Sequence, residues 1–394
     1  MTSFLLRLKR FCGFIVGIVF FLSGIVKLMD PVGAGLVMNE YYSFLHLDFL
    51  SFSAKVMGTL FALAETVVGI ALVTGVWRRI VAWTALGMQI FFTLITLILL
   101  IFNPQMDCGC FGEVIHLTHL QTFIKNLILL VLLLTYLIPQ KHLIIDCKVR
   151  KYVSFYLVAA FSLAFTIYSW IYIPMVDFTA YRPGAELSAG ASIDPEEMYE
   201  SVFIYEKDGN QETFTLEELP ADLDTWTFVS TETRIKDDLA EDLIELSFYK
   251  SETGEYMDTL ATREAVMIVS VYDTDMSENR WKKIADFITR AENTGFTTLL
   301  LCAQEDGIPA GLKEKAYISD YKTLISMNRS NGGITYFSNG TLIRKWARIN
   351  APDAEELKEI SETDTTEVSI ARESKGSLAF QGFLLYVFAV LLLL

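Results

Sequence analysis

A surplus of basic residues is missing from this sequence. Against 47 Asp and Glu it sets 32 Lys and Arg, for a formal net charge of −15. A nucleic-acid partner needs a positive patch, so that class of function is excluded. Cysteine is sparse too: Cys12, Cys108, Cys110, Cys147 and Cys302 are the whole set. So few, so scattered, do not form the dense even framework of a small secreted domain. The part after residue 176 holds only Cys302 and has no internal disulfide to form. Histidines number four, which limits metal chemistry to one neighbourhood at most.

Charge is absent from long stretches of the first half. Mean hydropathy is +0.38, too apolar for an ordinary soluble protein. Residues 1–176 carry 12 Lys and Arg against 7 Asp and Glu, whereas 177–394 carry 20 against 40. One half reads as membrane-embedded and the other as an acidic soluble part. A bilayer core needs roughly 20 apolar residues in a helix. Five segments meet or approach that length: 11–29, 56–77, 80–102, 120–138 and 153–173. A sixth, 377–394, contains the uncharged run Phe383 to Leu394. The first apolar core is long for a signal peptide and no small-x-small site follows it cleanly, so it reads as a retained helix.

Orientation follows from the basic clusters. Arg7, Lys9 and Arg10, then Arg78 and Arg79, then Lys141, Lys148, Arg150 and Lys151 all fall on one side if every span crosses. That side is expected to be cytoplasmic, with the N-terminus. Loops 30–55 and 103–119 and the whole of 174–376 then face outward. The aromatic stretch 41–52 reads as an interfacial helix or collar over the outer surface.

The outward loop 103–119 contains Asp107-Cys108-Gly109-Cys110-Phe111-Gly112-Glu113. Two thiols one residue apart can close a small strained disulfide ring, which is easier to reduce than a structural bridge. Outside the cytoplasm disulfides persist. Cys108 and Cys110 are therefore the candidate redox pair, against the blander reading of a static bridge that stiffens the loop. Asp107 and Glu113 would raise a thiol pKa here, and a protonated His116 or His119 would lower it. A competing metal reading takes Cys108, Cys110, His116 and His119 as a zinc set, although Cys-x-Cys is tighter than the usual knuckle. Lys27 and Glu65 are charges at or near bilayer depth. They either pin two helices to each other or line a proton or quinone site. Cys12 and Cys147 fall near the cytoplasmic face, where an electron relay would need a thiol pair, but nothing brings them together. Cys302 ends a buried strand and reads as core.

The acidic part is mixed and β-rich over 177–265, with short strands at 202–205 and 226–229. From 266 the pattern sharpens. Val266–Tyr272 is a buried strand, and 278–294 an amphipathic helix with Trp281, Ile284, Phe287, Ile288 and Ala291 on one face. Thr297–Cys302 is a second strand and 319–329 a helix. Two further strands flank the turn Ser338-Asn339-Gly340, and a last helix begins after Pro352. A polar linker, 361–376, leads to the final span.

Two resemblances emerge from these residues. Phe20-x-x-Ser23-Gly24-x-x-Lys27, Glu65 in the second span, Asn103-Pro104 and Cys108-Gly109-Cys110-Phe111-Gly112 together resemble the DoxX/MauE family of four-helix membrane proteins, over roughly residues 8–140. The order β-α-β-α-β-β-α over 255–360 resembles a thioredoxin fold. It lacks Cys-x-x-Cys, since the turn reads Tyr272-Asp273-Thr274-Asp275-Met276-Ser277, and Gly332-Gly333 stands where that family has a cis-proline. The whole layout is similar to long DoxX-family proteins of Bacteroidetes-type bacteria.

The expected domains are a bundle at 1–140, a cytoplasmic loop and fifth helix at 141–176, the β-rich region at 177–265, a thioredoxin-like domain at 266–360, a linker at 361–376 and a last span at 377–394. The resemblance implies an inner-membrane thiol–disulfide redox protein that supports disulfide formation or exchange in periplasmic proteins. Its electrons would go to or come from a quinone or another redox protein, within a membrane complex. A non-catalytic scaffold, whose periplasmic domain holds a secretion or folding partner, is the alternative.

Overall fold

Small residues decide how the apolar half of the chain packs. In the computed structural model, helix α1 (Ser3–Met29) lies directly against α3 (Ala54–Thr74). A Cβ added at Gly24 would come within 2.2 Å of Thr66 Oγ1, and one at Gly69 within 2.5 Å of the Phe21 nitrogen. Glycine at these positions lets the two backbones approach, as membrane helix pairs require. The structure describes residues 3–104, 106, 108–112, 114–115, 117–138, 148–188, 199–207, 210–215, 219–220, 225–235, 243–363, 381–382 and 385–387.

The chain divides into two compact units, Met1–Phe178 with Glu373–Leu394, and Thr179–Arg372. The first unit is helical. Beside α1 and α3 it contains α2 (Pro31–Phe44), α4 (Arg78–Phe102), α5 (His119–Leu137) and α6 (Val149–Ile171). Among the described residues, five segments are long and apolar enough to cross a membrane: Leu6–Met29, Asp48–Thr74, Arg78–Phe102, His119–Leu137 and Val149–Ile171. Each overlaps an expected span; the largest difference is at the second, which starts at Asp48 and not at 56 because the 3-10 turn Asp48–Ser53 leads straight into α3. The sixth, 377–394, falls mostly outside the described residues. Of its described part, Val387 is buried in the bundle core and the Tyr386 ring lies 4.7 Å from that of Phe161.

The stretch 30–55, expected as an outward loop with an interfacial helix or aromatic collar at 41–52, is helical over much of its length. Asp30 accepts from the Gly33 nitrogen, Pro31 opens α2, and the helix runs to Phe44 before a short 3-10 turn at Asp48–Ser53. Tyr41 and Tyr42 thus belong to the last turn of a helix. At the start of α5, Thr118 and Gln121 form a capping box, which fixes where the thiol loop ends.

The second unit is a mixed-sheet domain. Strands β1 (Glu186–Leu187), β2 (Tyr199–Lys207), β3 (Asn210–Thr215), β4 (Thr227–Ile235), β5 (Leu243–Ile244) and β6 (Phe248–Tyr249) precede β7 (Val266–Val271). After it come α7 (Glu278–Asn293), β8 (Thr297–Cys302), α8 (Ala310–Lys313), β9 (Ala316–Ser319), α9 (Tyr321–Met327), β10 (Gly333–Ser338), β11 (Thr341–Trp346) and α10 (Ala354–Glu362). The large sheet has the order β5-β1-β11-β10-β7-β8-β9-β6, and β3-β2-β4 form a separate small one. Strands β7, β8 and β9 are parallel, and β10 runs antiparallel to β7. Helix α7 buries the five residues expected of it. Asn339 (φ 49°) and Gly340 (φ 82°) make the β10–β11 turn in the left-handed region, as a tight hairpin demands.

Two differences from expectation stand out. Strand β9 occupies 316–319, so the helix expected from 319 starts instead at Tyr321, capped by Asp320. And β1, β5 and β6 join the sheet built around β7, so one sheet runs through the expected boundary at residue 265.

Candidate functional site

Cys108, Gly109 and Cys110 sit where four helices meet. Gly109 takes φ +58°, and a Cβ there would lie 2.3 Å from Val37 Cγ1 of α2. Only glycine fits both the backbone angle and the space. The loop carbonyls are then tied down one by one. The Tyr41 hydroxyl donates to the Cys108 oxygen at 2.9 Å. The Ser23 hydroxyl of α1 stands 2.6 Å from the Cys110 oxygen and 2.8 Å from Glu65 Oε1, with one proton to serve both.

Beneath the loop, Lys27 Nζ pairs with Glu65 Oε2 at 2.7 Å and also reaches Ser23 Oγ at 3.3 Å. Both side chains are largely buried, so the pair joins α1 to α3 at depth and satisfies two charges that would otherwise be costly. Lys27 and Glu65 thus engage each other and Ser23, the helix-pinning arrangement that the sequence offered beside a proton or quinone site.

The two sulfurs have different surroundings. Both thiols are unbridged. Cys108 is buried; its Sγ lies 2.8 Å from Thr122 Oγ1 and donates to the Leu117 oxygen at 3.3 Å. Cys110 is half-buried. Hydrogen bonding from Cys108 holds its thiol down to about 6, helped against the opposing effect of burial by the cations Lys125 and Lys27. The same hydrogen bond to Cys110, with burial, pushes Cys108 up. The two thiols are thus shifted in opposite directions, Cys110 toward the thiolate and Cys108 toward the protonated form. Lys125 also lies 4.8 Å from the Phe111 ring centroid, a cation–π contact that keeps it over the loop. Tyr41, whose hydroxyl is tied to the loop, is pushed up by burial and by the two sulfurs.

Lys125, Tyr41, Ser23 and Thr122 were not assigned roles by sequence reasoning. A signal for Lys125 was present: it is the lone Lys, Arg, Asp or Glu in α5, and a single charge in an apolar run needs a partner. The acidic neighbours expected to tune the thiols, Asp107 and Glu113, lie outside the described residues, as does His116. His119 turns its Nε2 to the Met106 oxygen at 2.9 Å and its Nδ1 to the Asn103 side chain at 3.1 Å, so both ring nitrogens brace the loop. Among the described residues no cluster of three or more His, Cys, Asp or Glu is arranged to hold a metal ion.

Cys12 is buried in the bundle core, and Cys147 lies outside the described residues. In the second unit Cys302 is fully buried at the end of β8, and burial alone pushes its thiol up to about 12. The turn after β7 is closed by Asn331, which accepts from the Tyr272 and Asp273 nitrogens and donates to the Asp273 oxygen.

Comparison with known families places the bundle. Residues 4–139 match the family described as methylamine utilisation protein MauE, which supports a MauE-type membrane protein over that stretch. Residues 199–237 match a domain of unknown function (DUF8463). No curated protein and no solved structure matches the chain.

Proposed function

We propose that this multi-pass protein carries out thiol–disulfide exchange at Cys108 and Cys110. We place it in a bacterial inner membrane, with the thiol loop and residues 174–376 on the periplasmic side. One arrangement carries the reading: half-buried Cys110 lies among Cys108, Lys125 and Lys27, which lower its thiol pKa, while Cys108 is buried against Thr122 and the Leu117 oxygen and its thiol is pushed up. A static bridge has no need of that asymmetry. A lowered thiolate pKa stabilises the reduced pair, and this makes the disulfide form the better oxidant.

The reaction balances as follows. With the pair oxidised, a partner thiolate attacks Cys110 Sγ. The Cys108–Cys110 bond breaks, and Cys108 leaves and takes a proton. A second partner thiolate then attacks the partner's own sulfur in the mixed disulfide and releases Cys110 as a thiolate, a good leaving group at its lowered pKa. The partner loses two electrons and gains a disulfide; the pair gains both. An acceptor of the quinone class, or a second dithiol protein, takes them onward.

Support for a docking role of the second unit comes from its strand order. Strands β8-β7-β10-β11, with α7 and α10, follow the thioredoxin-like arrangement. Its turn after β7 holds Asn331 contacts in place of thiols, so the domain would bind a client and not oxidise it. A scaffold whose thiols are structural is the second reading, favoured by the anchoring of both cysteine carbonyls.

Trapping separates the two. A Cys108→Ser variant retains the accessible sulfur and should accumulate mixed disulfides with envelope proteins, whereas Cys110→Ser should yield none. Equal behaviour of the two variants and wild type, with a wild-type pair inert to reductant, would sink the exchange proposal.

A further inference from the structure

Far along the sequence from the thiol loop, the bundle has a cavity of about 330 Å³ where α1, the α3–α4 junction, α5 and α6 converge. Arg10, Arg78 and Lys151 line it, and among the described residues no carboxylate does. Its other walls are apolar or aromatic, including Phe11, Phe14 and Tyr136. Phe11 and Phe14 continue outward as exposed faces of a membrane-crossing helix. The cavity therefore opens from a cationic end toward lipid.

Arg78 is the informative residue. Its Nε donates to the Gly75 oxygen at 3.1 Å, which fixes the guanidinium over the end of α3. Its Nη1 is buried and finds no acceptor among the described residues. A buried guanidinium N–H without an acceptor is costly, and a ligand oxygen would remove that cost. Arg78 is also the first residue of α4. Trp77, in the N-cap position, has φ +39° and contributes no side-chain cap, and the first turn has no acidic residue. The positive end of the α4 dipole is thus unopposed at the same place.

The depth of the cavity is marked as well. The Trp77 ring stands edge-on to Tyr152, Phe155 and Tyr156 with centroids 5.6, 5.3 and 6.2 Å away. Aromatic clusters of this kind sit at headgroup level. Basic pockets between spanning helices at that level suit phosphate-bearing headgroups.

We infer that this cavity is a binding site for an anionic phospholipid, its phosphate held by Arg78, Arg10 and Lys151 and its acyl chains laid along Phe11 and Phe14. The inference does not depend on the chemistry of Cys108 and Cys110.

The test uses the full chain, purified in a neutral detergent, with its melting followed as short-chain phosphatidylglycerol, short-chain phosphatidylcholine or inorganic phosphate is added. Phosphatidylglycerol should raise the melting temperature saturably, and the other two should not at the same concentrations. Arg78→Gln should weaken the apparent affinity about tenfold, as expected for loss of a charge-assisted hydrogen bond. Arg10→Gln, on an exposed position of another helix, should weaken it too, and serves if Arg78→Gln fails to fold. Arg79→Gln, which does not line the cavity, should leave it unchanged. An equal response to phosphatidylcholine, an equal response to inorganic phosphate, or a phosphatidylglycerol response untouched in Arg10→Gln would each overturn the proposal.

Discussion

Cys110 and Cys302 are the same residue in opposite settings. Cys302 ends a central strand, wholly buried among Val271, Leu300 and the α7 face, with no cation near enough to matter, and its thiol is pushed up to about 12. Cys110 is half-buried, yet its thiol is held down to about 6. Burial acts upward on both. The difference is made by what surrounds the sulfur: a neighbouring thiol that donates and two lysines that arrive from different helices. Enclosure makes a cysteine inert by default, and only a purpose-placed set of donors and cations reverses that. The first unit spends buried polar groups around its sulfur, whereas the second builds a near-continuous apolar core around its own.

The contrast is broken most directly by alkylation at pH 7 in the native state. Cys110 should react at least about 10³-fold faster than Cys302, since one is mostly thiolate and the other is both protonated and enclosed. Cys302 should be modified only after denaturation. If both sulfurs react at similar rates in the folded protein, the distinction drawn between the units fails.

A second measurement asks whether the buried polar set beneath the loop is needed for the first unit to stand. Glu65→Gln leaves the Lys27 charge at depth without its partner, 2.7 Å away in the native protein. The expected loss is about 3 kcal/mol of bundle stability, the usual scale for halving a buried ion pair. The second unit should be unaffected, so a melt resolved by unit would show only the helical transition shifting down. No shift would mean that water already reaches Lys27.

Much of this arrangement was open to sequence reading, for physical reasons that also explain the gaps. The five spans announce themselves because 19 or more apolar residues in a row have few other destinations. The amphipathic face of α7 and the Asn339-Gly340 turn are local signals of the same strength. Strand β9 is four residues long and β1, β5 and β6 two each, too short for periodicity to register. They are strands only because a neighbour pairs with them, and so the sheet ran past the boundary drawn at 265. Helix α2 was hidden by glycines at 33 and 35, which lower helix propensity but let Lys55 and its helix approach. At the site, Cys108 and Cys110 were legible by adjacency. The contacts that give them different character were not, because Ser23 and Tyr41 lie 87 and 67 residues away in sequence from the carbonyls they touch.

The smallest expected effect is the one that isolates the cause of the contrast. Lys125→Gln keeps a polar side chain that can still donate a hydrogen bond, although a shorter one, and removes its charge. The Cys110 pKa should rise from about 6 by ~1 pH unit, the low end of the shift an adjacent cation produces. Alkylation rates would then fall about fivefold at pH 6 and about twofold at pH 7, and converge with wild type above pH 8, where both are thiolate. The linkage has a definite sign. The folded pKa lies below that of an unfolded cysteine, so the stability it contributes is fully present above the unfolded value, near 8.5, and is lost as pH falls through about 6. In Lys125→Gln that loss should be complete at higher pH and be smaller in total. An alkylation profile that does not move would make Lys125 a bystander and leave the depression to the Cys108 hydrogen bond and Lys27. The difference between Cys110 and Cys302 would then rest on a neighbouring thiol and one lysine.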